Sequence, residues 1–273
     1  MNDDRNMLRL AREEVFPIVK PGEISSSTGL PFSGTIQGEG KLAGTPSLFL
    51  RLYGCNLNCQ WVLPNGERCP CDTPSAIKPG MPVSLQSVET VAKTILDNMQ
   101  HLRHLVVSGG EPMLQAQSLT ELFLILRSAR PDIHISLETN GTIFHHNVAQ
   151  LIDLFSISPK LYSSEPEGGY PDAIQRVNIP VLQNFLDVRN VNPQKDLQFK
   201  FVFSNPEEER EIKNDVLNKL KYWTKDDVLL MPLGSNEQEL KVSTNNALSV
   251  ALKNGWRYAP RLHIDLFGSG EGV

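Results

Sequence analysis

From residue 48 onward, short apolar runs alternate with amphipathic stretches, and this alternation constrains the fold more than any other feature of the chain. The runs SLFLRLY, HLVVS, IHISLE, LFSIS, QFKFVF and VLLMPL have the length and composition of strands, and RLHIDLF reads as a last one. Helical patterns lie between them. SLQSVETVAKTILDNMQ sets Val88, Val91, Ala92, Ile95, Leu96 and Met99 on one face, with Ser84 or Ser87 as cap. Further helices are expected at SLTELFLILRSA, near 146–152, from Pro206 to about Tyr222, and around 244–253. Strands alternating with helices imply parallel pairing through right-handed crossovers. Six or seven such units predict an α/β fold, a partial or complete barrel of parallel strands.

The unusual residues fall where that fold would put a site. A cysteine-rich loop follows the first of these strands, SGGEP the second, ETNG the third, SPK the fourth and MPLG a later one. Sites in parallel β/α folds are built from the loops leaving the carboxyl ends of the strands, so these stretches should surround one mouth.

Composition limits the partners. A formal charge of −5 offers no general attraction to nucleic acid or to anionic membranes. No apolar run approaches the roughly 18 residues needed to span a bilayer, and the charged start MNDDRNMLRLAREEV lacks the apolar core of a signal peptide. A cytoplasmic protein is expected, where disulfides are rare.

All four cysteines, Cys55, Cys59, Cys69 and Cys71, lie in GCNLNCQWVLPNGERCPCDT. Four thiolates can close a tetrahedral zinc site, although zinc ligands are usually paired as C-x2-4-C twice and Cys69-Pro70-Cys71 is tighter. An iron-sulfur cluster is also held by thiolates, and three ligands leave one iron open.

Cys55-x3-Cys59, Trp61 and then Cys71-Asp72-Thr73 resemble the C-x3-C-x2-C loop of radical S-adenosylmethionine enzymes, with nine residues, 62–70, inserted after the tryptophan. The resemblance is closest to the 7-carboxy-7-deazaguanine synthase family, through TIQGEG at 35–40, GTP at 44–46, FLRL at 49–52 and GCNLNCQW at 54–61. It implies a radical S-adenosylmethionine core, a partial (β/α)6-type barrel over 35–273 with an N-terminal extension at 1–34. By that alignment Cys55, Cys59 and Cys71 hold a 4Fe-4S cluster, and Cys69, inside the insertion, is the rival third ligand.

The same resemblance assigns Ser108, Gly109, Gly110 and Glu111 to the methionine end of S-adenosylmethionine, Glu111 accepting from its ammonium. Glu138, Asn140, Ser158 and Lys160 are further contacts of cofactor or substrate. It implies 6-carboxytetrahydropterin as substrate, with Gln37 and Glu39 reading the pterin edge, Arg51 clamping the carboxylate, and Arg261 and His263 nearby. Thr73 would bind Mg2+ through its hydroxyl. A homodimer and an electron donor such as flavodoxin or ferredoxin complete the expectation. Two other classes stay open: a radical activase of a partner protein, which would not need TIQGEG or FLRL, and a zinc-bound binding module. His145-His146 reads as a helix start, and EEER at 207–210 as a solvated first turn.

Overall fold

The computed structural model describes residues 6–63, 66–170, 175–234 and 237–268. Its main sheet is formed by β1 (Met7–Phe16), β2 (Thr35–Ile36), β3 (Pro46–Leu52), β6 (Ser84–Ser87), β7 (His104–Gly109), β8 (His134–Thr139), β9 (Leu154–Ile157), β10 (Asp196–Phe203), β11 (Val228–Pro232) and β12 (Arg257–Tyr258). The remaining two, β4 (Gln60–Val62) and β5 (Arg68–Pro70), form a separate hairpin. In the sheet the order is β12-β11-β10-β9-β8-β7-β3-β1-β6. Every step from β3 to β12 is parallel, as the strand and helix alternation requires.

Helices accompany this sheet, most of them packed on its outer face and the last of them lining the cavity. They are α1 (Pro74–Ile77), α2 (Val88–Met99), α3 (Ala116–Ala129), α4 (His146–Gln150), α5 (Ile179–Val191), α6 (Glu208–Glu211), α7 (Glu237–Asn254) and α8 (Leu262–Phe267). Ser87 caps α2 by accepting from the Thr90 amide. The helix α5 escapes the apolar pattern, although NIP is a legible start: Asn178 accepts from the Val181 amide and Pro180 sits in the first turn. No helix among the described residues is long and apolar enough to cross a membrane.

The period of two along the strands sorts residues between two environments. Leu48, Leu50 and Leu52 of β3, Leu105 and Val107 of β7, Ile135 and Leu137 of β8, and Phe199, Phe201 and Phe203 of β10 pack in one core with the helices. The residues between them point inward: Phe49, Arg51, Ser108, Glu138, Ser156 and Lys200 all line a central cavity. The strands are thus half core and half site.

Three expectations change. RLHIDLF is the short helix α8, and the last strand is Arg257–Tyr258. Pro260 follows Ala259, whose amide makes the last bond to Leu230, and Pro260 has no N–H to extend the ladder. The run from Pro206 to Tyr222 is not one helix, since α6 passes into a π turn at Ile212–Val216 and a 3-10 turn at Leu217–Lys219. Within EEER, Glu208 is buried and accepts from the amides of Ser204 and Asn205, so that turn is only partly solvated. Residues 7–16, which the strand and helix reading leaves unassigned, form β1, antiparallel between β3 and β6.

Candidate functional site

The inward-facing residues and the loops at the carboxyl ends of the strands enclose a cavity of about 310 Å³. All four cysteines line it, together with Gln37, Glu39, Arg51, Thr73, Ser108, Gly109, Gly110, Glu138, Asn140, Ser158, Lys160, Arg261 and His263. One expected residue stands apart. Glu111 is fully buried behind the wall, where its carboxylate accepts from Thr139 Oγ1 at 2.8 and 2.9 Å, Asn140 N at 2.7 Å and Met113 N at 3.0 Å. Its partners are protein groups that fix the ETNG turn.

The two glycines of SGGEP serve the same junction. A Cβ on Gly109 would stand 2.1 Å from the Leu52 carbonyl, and one on Gly110 would stand 2.2 Å from the Gly54 carbonyl and 3.0 Å from Cys55 Cβ. The Glu111 amide donates to Gly54 O at 2.8 Å. Absence of side chains therefore lets the cysteine loop lie directly on this turn.

The insertion after Trp61 folds on itself. β4 and β5 pair antiparallel with Gln60 opposite Pro70 and Trp61 opposite Cys69. Carried one residue further, that register sets Cys71 across from Cys59, so the chain leaves and re-enters the loop at one place.

Three of the four sulfurs meet hydrogen-bond donors from other residues. Leu57 N reaches Cys55 Sγ at 3.4 Å and Asn140 Nδ2 reaches it at 3.9 Å; Tyr170 OH lies 3.1 Å from Cys59 Sγ; and Thr73 Oγ1 lies 3.3 Å from Cys71 Sγ, a pair in which either atom can donate, while the free Cys71 thiol also faces Asp72 Oδ1 at 3.8 Å. The Cys69 thiol instead points to the carbonyl of Pro70. Donors facing sulfur suit thiolates bound to metal, so Cys55, Cys59 and Cys71 fit a three-thiolate cluster site. Without metal, burial pushes the Cys55 thiol up to about 11 and raises Cys71 and Cys69 as well.

A charged group occupies another part of the wall, reaching the cysteine loop at Asp72. Glu39 pairs with Lys200 and with Arg261 Nε at 3.1 Å, and these cations hold its carboxyl far below the usual range against the opposing effect of burial. Arg261 also donates to Gly234 O at 2.7 Å and Asp72 Oδ2 at 3.1 Å. Gln37 donates to Glu138 at 3.1 Å. The carboxyl-terminal segment docks here: Leu262 N bonds Gly38 O at 2.9 Å, and a Cβ on Gly38 would meet the His263 ring at 2.0 Å. Lys200 was missed by motif reading, yet QFKFVF alternates Phe with Gln, Lys and Val, the signature of a strand with one face on a polar interior.

Arg51 is 11% exposed and makes no hydrogen bond among the described residues. Its guanidinium lies under the Phe16 ring at 4.8 Å, and its Nε is 3.7 Å from Glu13 of β1. Ser75 Oγ donates to the same Glu13 oxygen at 2.9 Å. Arg51 is thus held in the wall by charge and ring, with its hydrogen-bonding capacity unused. Lys160 donates to Ser158 Oγ at 2.9 Å and lies 5.6 Å from the Trp61 ring centre.

Comparison with known proteins identifies the family. Residues 50–181 match the model of the radical SAM superfamily. A 7-carboxy-7-deazaguanine synthase of Halobacterium salinarum is 34% identical over 248 residues, spanning 85% of this chain and 87% of that protein. One from Rhodopirellula baltica is 32% identical over 264 residues, 93% of each chain. The crystal structure of QueE from Escherichia coli superposes with a TM-score of 0.61 at 21% identity, covering 94% of this chain and 95% of that one, a likeness of fold.

Proposed function

Because the chain belongs to the 7-carboxy-7-deazaguanine synthases, enzymes of the radical S-adenosylmethionine superfamily, we propose that its cavity converts 6-carboxytetrahydropterin to 7-carboxy-7-deazaguanine with loss of ammonia. The observation that carries this substrate is the coexistence, in one cavity, of three donor-facing thiols with an unsatisfied Arg51 and an ionised Glu39. Cys55, Cys59 and Cys71 would hold the 4Fe-4S cluster, whose chemistry, when bound, is one-electron reductive cleavage of S-adenosylmethionine at an open iron. A donor such as flavodoxin or ferredoxin would supply the electron, and a homodimer is the expected assembly.

The protein's own groups orient the reactants. The backbone at Ser108, Gly109 and Gly110, with Asn140, Ser158 and Lys160, forms the wall nearest Cys55 and suits the methionine end of the cofactor. Glu111 acts there indirectly, by fixing the turn that presents Asn140. Elsewhere in the wall Glu39 remains ionised beside Lys200 and Arg261, so it accepts hydrogen bonds from the ring N–H and amino groups of a pterin, with Gln37 and Glu138 beside it. Arg51 takes the substrate carboxylate bidentately through its free N–H groups. Thr73, whose hydroxyl neighbours Cys71, would offer its oxygen to a Mg2+ ion, which would supply positive charge near that carboxylate.

Anaerobic turnover of the iron-reconstituted chain with the carboxypterin, S-adenosylmethionine, Mg2+ and a reductant tests the proposal. Mass spectrometry should find the carboxydeazaguanine and one ammonia per product. Consumption of S-adenosylmethionine with no change in the pterin would overturn the substrate assignment.

A further inference from the structure

We infer that Tyr170 tunes the cluster through Cys59, its phenolic hydroxyl donating to the Cys59 sulfur and making the cluster easier to reduce. The inference rests on the reading that Cys55, Cys59 and Cys71 are the cluster ligands. Tyr170 lies outside the cavity lining, so any influence it has on the chemistry passes through the residue it touches. Its hydroxyl is 3.1 Å from Cys59 Sγ, a close approach for a bond to sulfur. Cys59 is the one buried cysteine, 6% exposed, and packs with Leu57, Trp61, Leu233 and Tyr170 itself. Little water can compete for its sulfur, and a hydrogen bond in such apolar surroundings is strengthened.

The phenol has one proton and two acceptors, because the Ser164 carbonyl stands 3.2 Å away. A sulfur that has lost its proton to bind metal carries negative charge, and a charged acceptor outcompetes a neutral carbonyl at similar distance. The other two sulfurs receive donors that have further tasks. Leu57 N belongs to the backbone, Asn140 also bonds Asn56 at 2.9 Å, and Thr73 sits at the start of α1. Tyr170 is the side chain that can be altered with least disturbance to the cavity. A donor to a ligating sulfur draws charge from it and favours the reduced, more negative state of the cluster.

The test is a redox titration of the reconstituted full chain, without S-adenosylmethionine or pterin, followed by the paramagnetic signal of the reduced cluster. Tyr170→Phe keeps the ring and its packing and removes the donor. At a fixed poise its ratio of reduced to oxidised cluster should fall about tenfold, a midpoint more negative by about 59 mV for one electron. Site-specific 3-fluorotyrosine at 170, a more acidic phenol and stronger donor, should shift the midpoint the other way. Iron and sulfide contents are measured first. If no cluster assembles in the unmodified chain, the ligand reading fails and not the inference about Tyr170. If the cluster assembles and the fluorotyrosine and unmodified enzymes share one midpoint, the inference is overturned, whether or not the Phe variant loads.

Discussion

Arg51 and the three donor-facing cysteines make opposite demands on their surroundings, and single substitutions separate them. Arg51→Ala should leave the cluster absorbance and slow uncoupled cleavage of S-adenosylmethionine unchanged. The loss of charge-assisted bonds to a buried carboxylate, about 1.5–3 kcal/mol, should lower kcat/KM for the carboxypterin roughly 10- to 150-fold. Steady-state kinetics read this, and an unchanged kcat/KM would move the carboxylate subsite elsewhere. Replacing Cys55, Cys59 or Cys71 with Ala should abolish the iron-sulfur absorbance, whereas Cys69→Ala should retain it. A Cys69→Ala protein that cannot hold iron, beside a Cys71→Ala protein that can, would reverse the ligand assignment. At this scale the motifs that carry the family resemblance pointed to the thiols, Arg51, Gln37 and Glu39, and all of them line one cavity. Glu111 marks what spacing leaves open, because a carboxylate that ties its own fold and one that meets a ligand look alike until the partners of its oxygens, Thr139 Oγ1 and Asn140 N, are visible. Lys200 was hidden for the opposite reason: it belongs to no motif, and only the parity of its strand brings it to Glu39.

The hairpin β4-β5 leaves the cysteine loop and returns to it at one point. Because Gln60 pairs with Pro70, the inserted residues begin and end at neighbouring points, and closing such a loop costs little once both ends are fixed. Deleting residues 62–70, which joins Trp61 directly to Cys71, should therefore preserve cluster content to within about twofold in iron and sulfide analysis. A deletion protein devoid of iron would mean that the hairpin itself, Cys69 included, builds the site. The N-terminal strand is a different kind of addition. The register of β1 against β3 shifts between Leu10 and Val15, and the irregular segment carries Glu13 toward Arg51. The sequence concealed this strand because two adjacent glutamates interrupt its apolar alternation, and the interruption is the part that faces Arg51. Likewise, the final helix read as a strand because RLHIDLF has the composition of one, and what decides against it is the proline upstream.

At the scale of the molecule, the sheet carries a polar chain at the end opposite the cysteine loop. Ser47 Oγ, His104 and Ser136 Oγ span three adjacent strands through contacts of 2.7 Å each, and burial depresses the His104 pKa to about 4. The folded state thus holds His104 neutral, while the unfolded chain takes up a proton near pH 6.5, so stability is full above that value and falls as pH drops from 6.5 toward 4. The loss is about 3 kcal/mol at most, taking ~1.4 kcal/mol per unit. Denaturant midpoints measured across this window should show the slope, and His104→Gln should flatten it; equal slopes in the two proteins would show that other groups carry the acid sensitivity. The alternation of strands and helices was enough to foresee this sheet and the end at which its chemistry lies. The contacts that close it were not foreseeable, since they join positions with no shared pattern. Among these, the bonds of Arg261 to Glu39 and of Leu262 to Gly38 have a consequence in time. On the ribosome the thiols emerge nearly two hundred residues ahead of Arg261. Until that distant segment is made, Glu39 lacks one of its two cations and the Gly38 carbonyl lacks its partner amide.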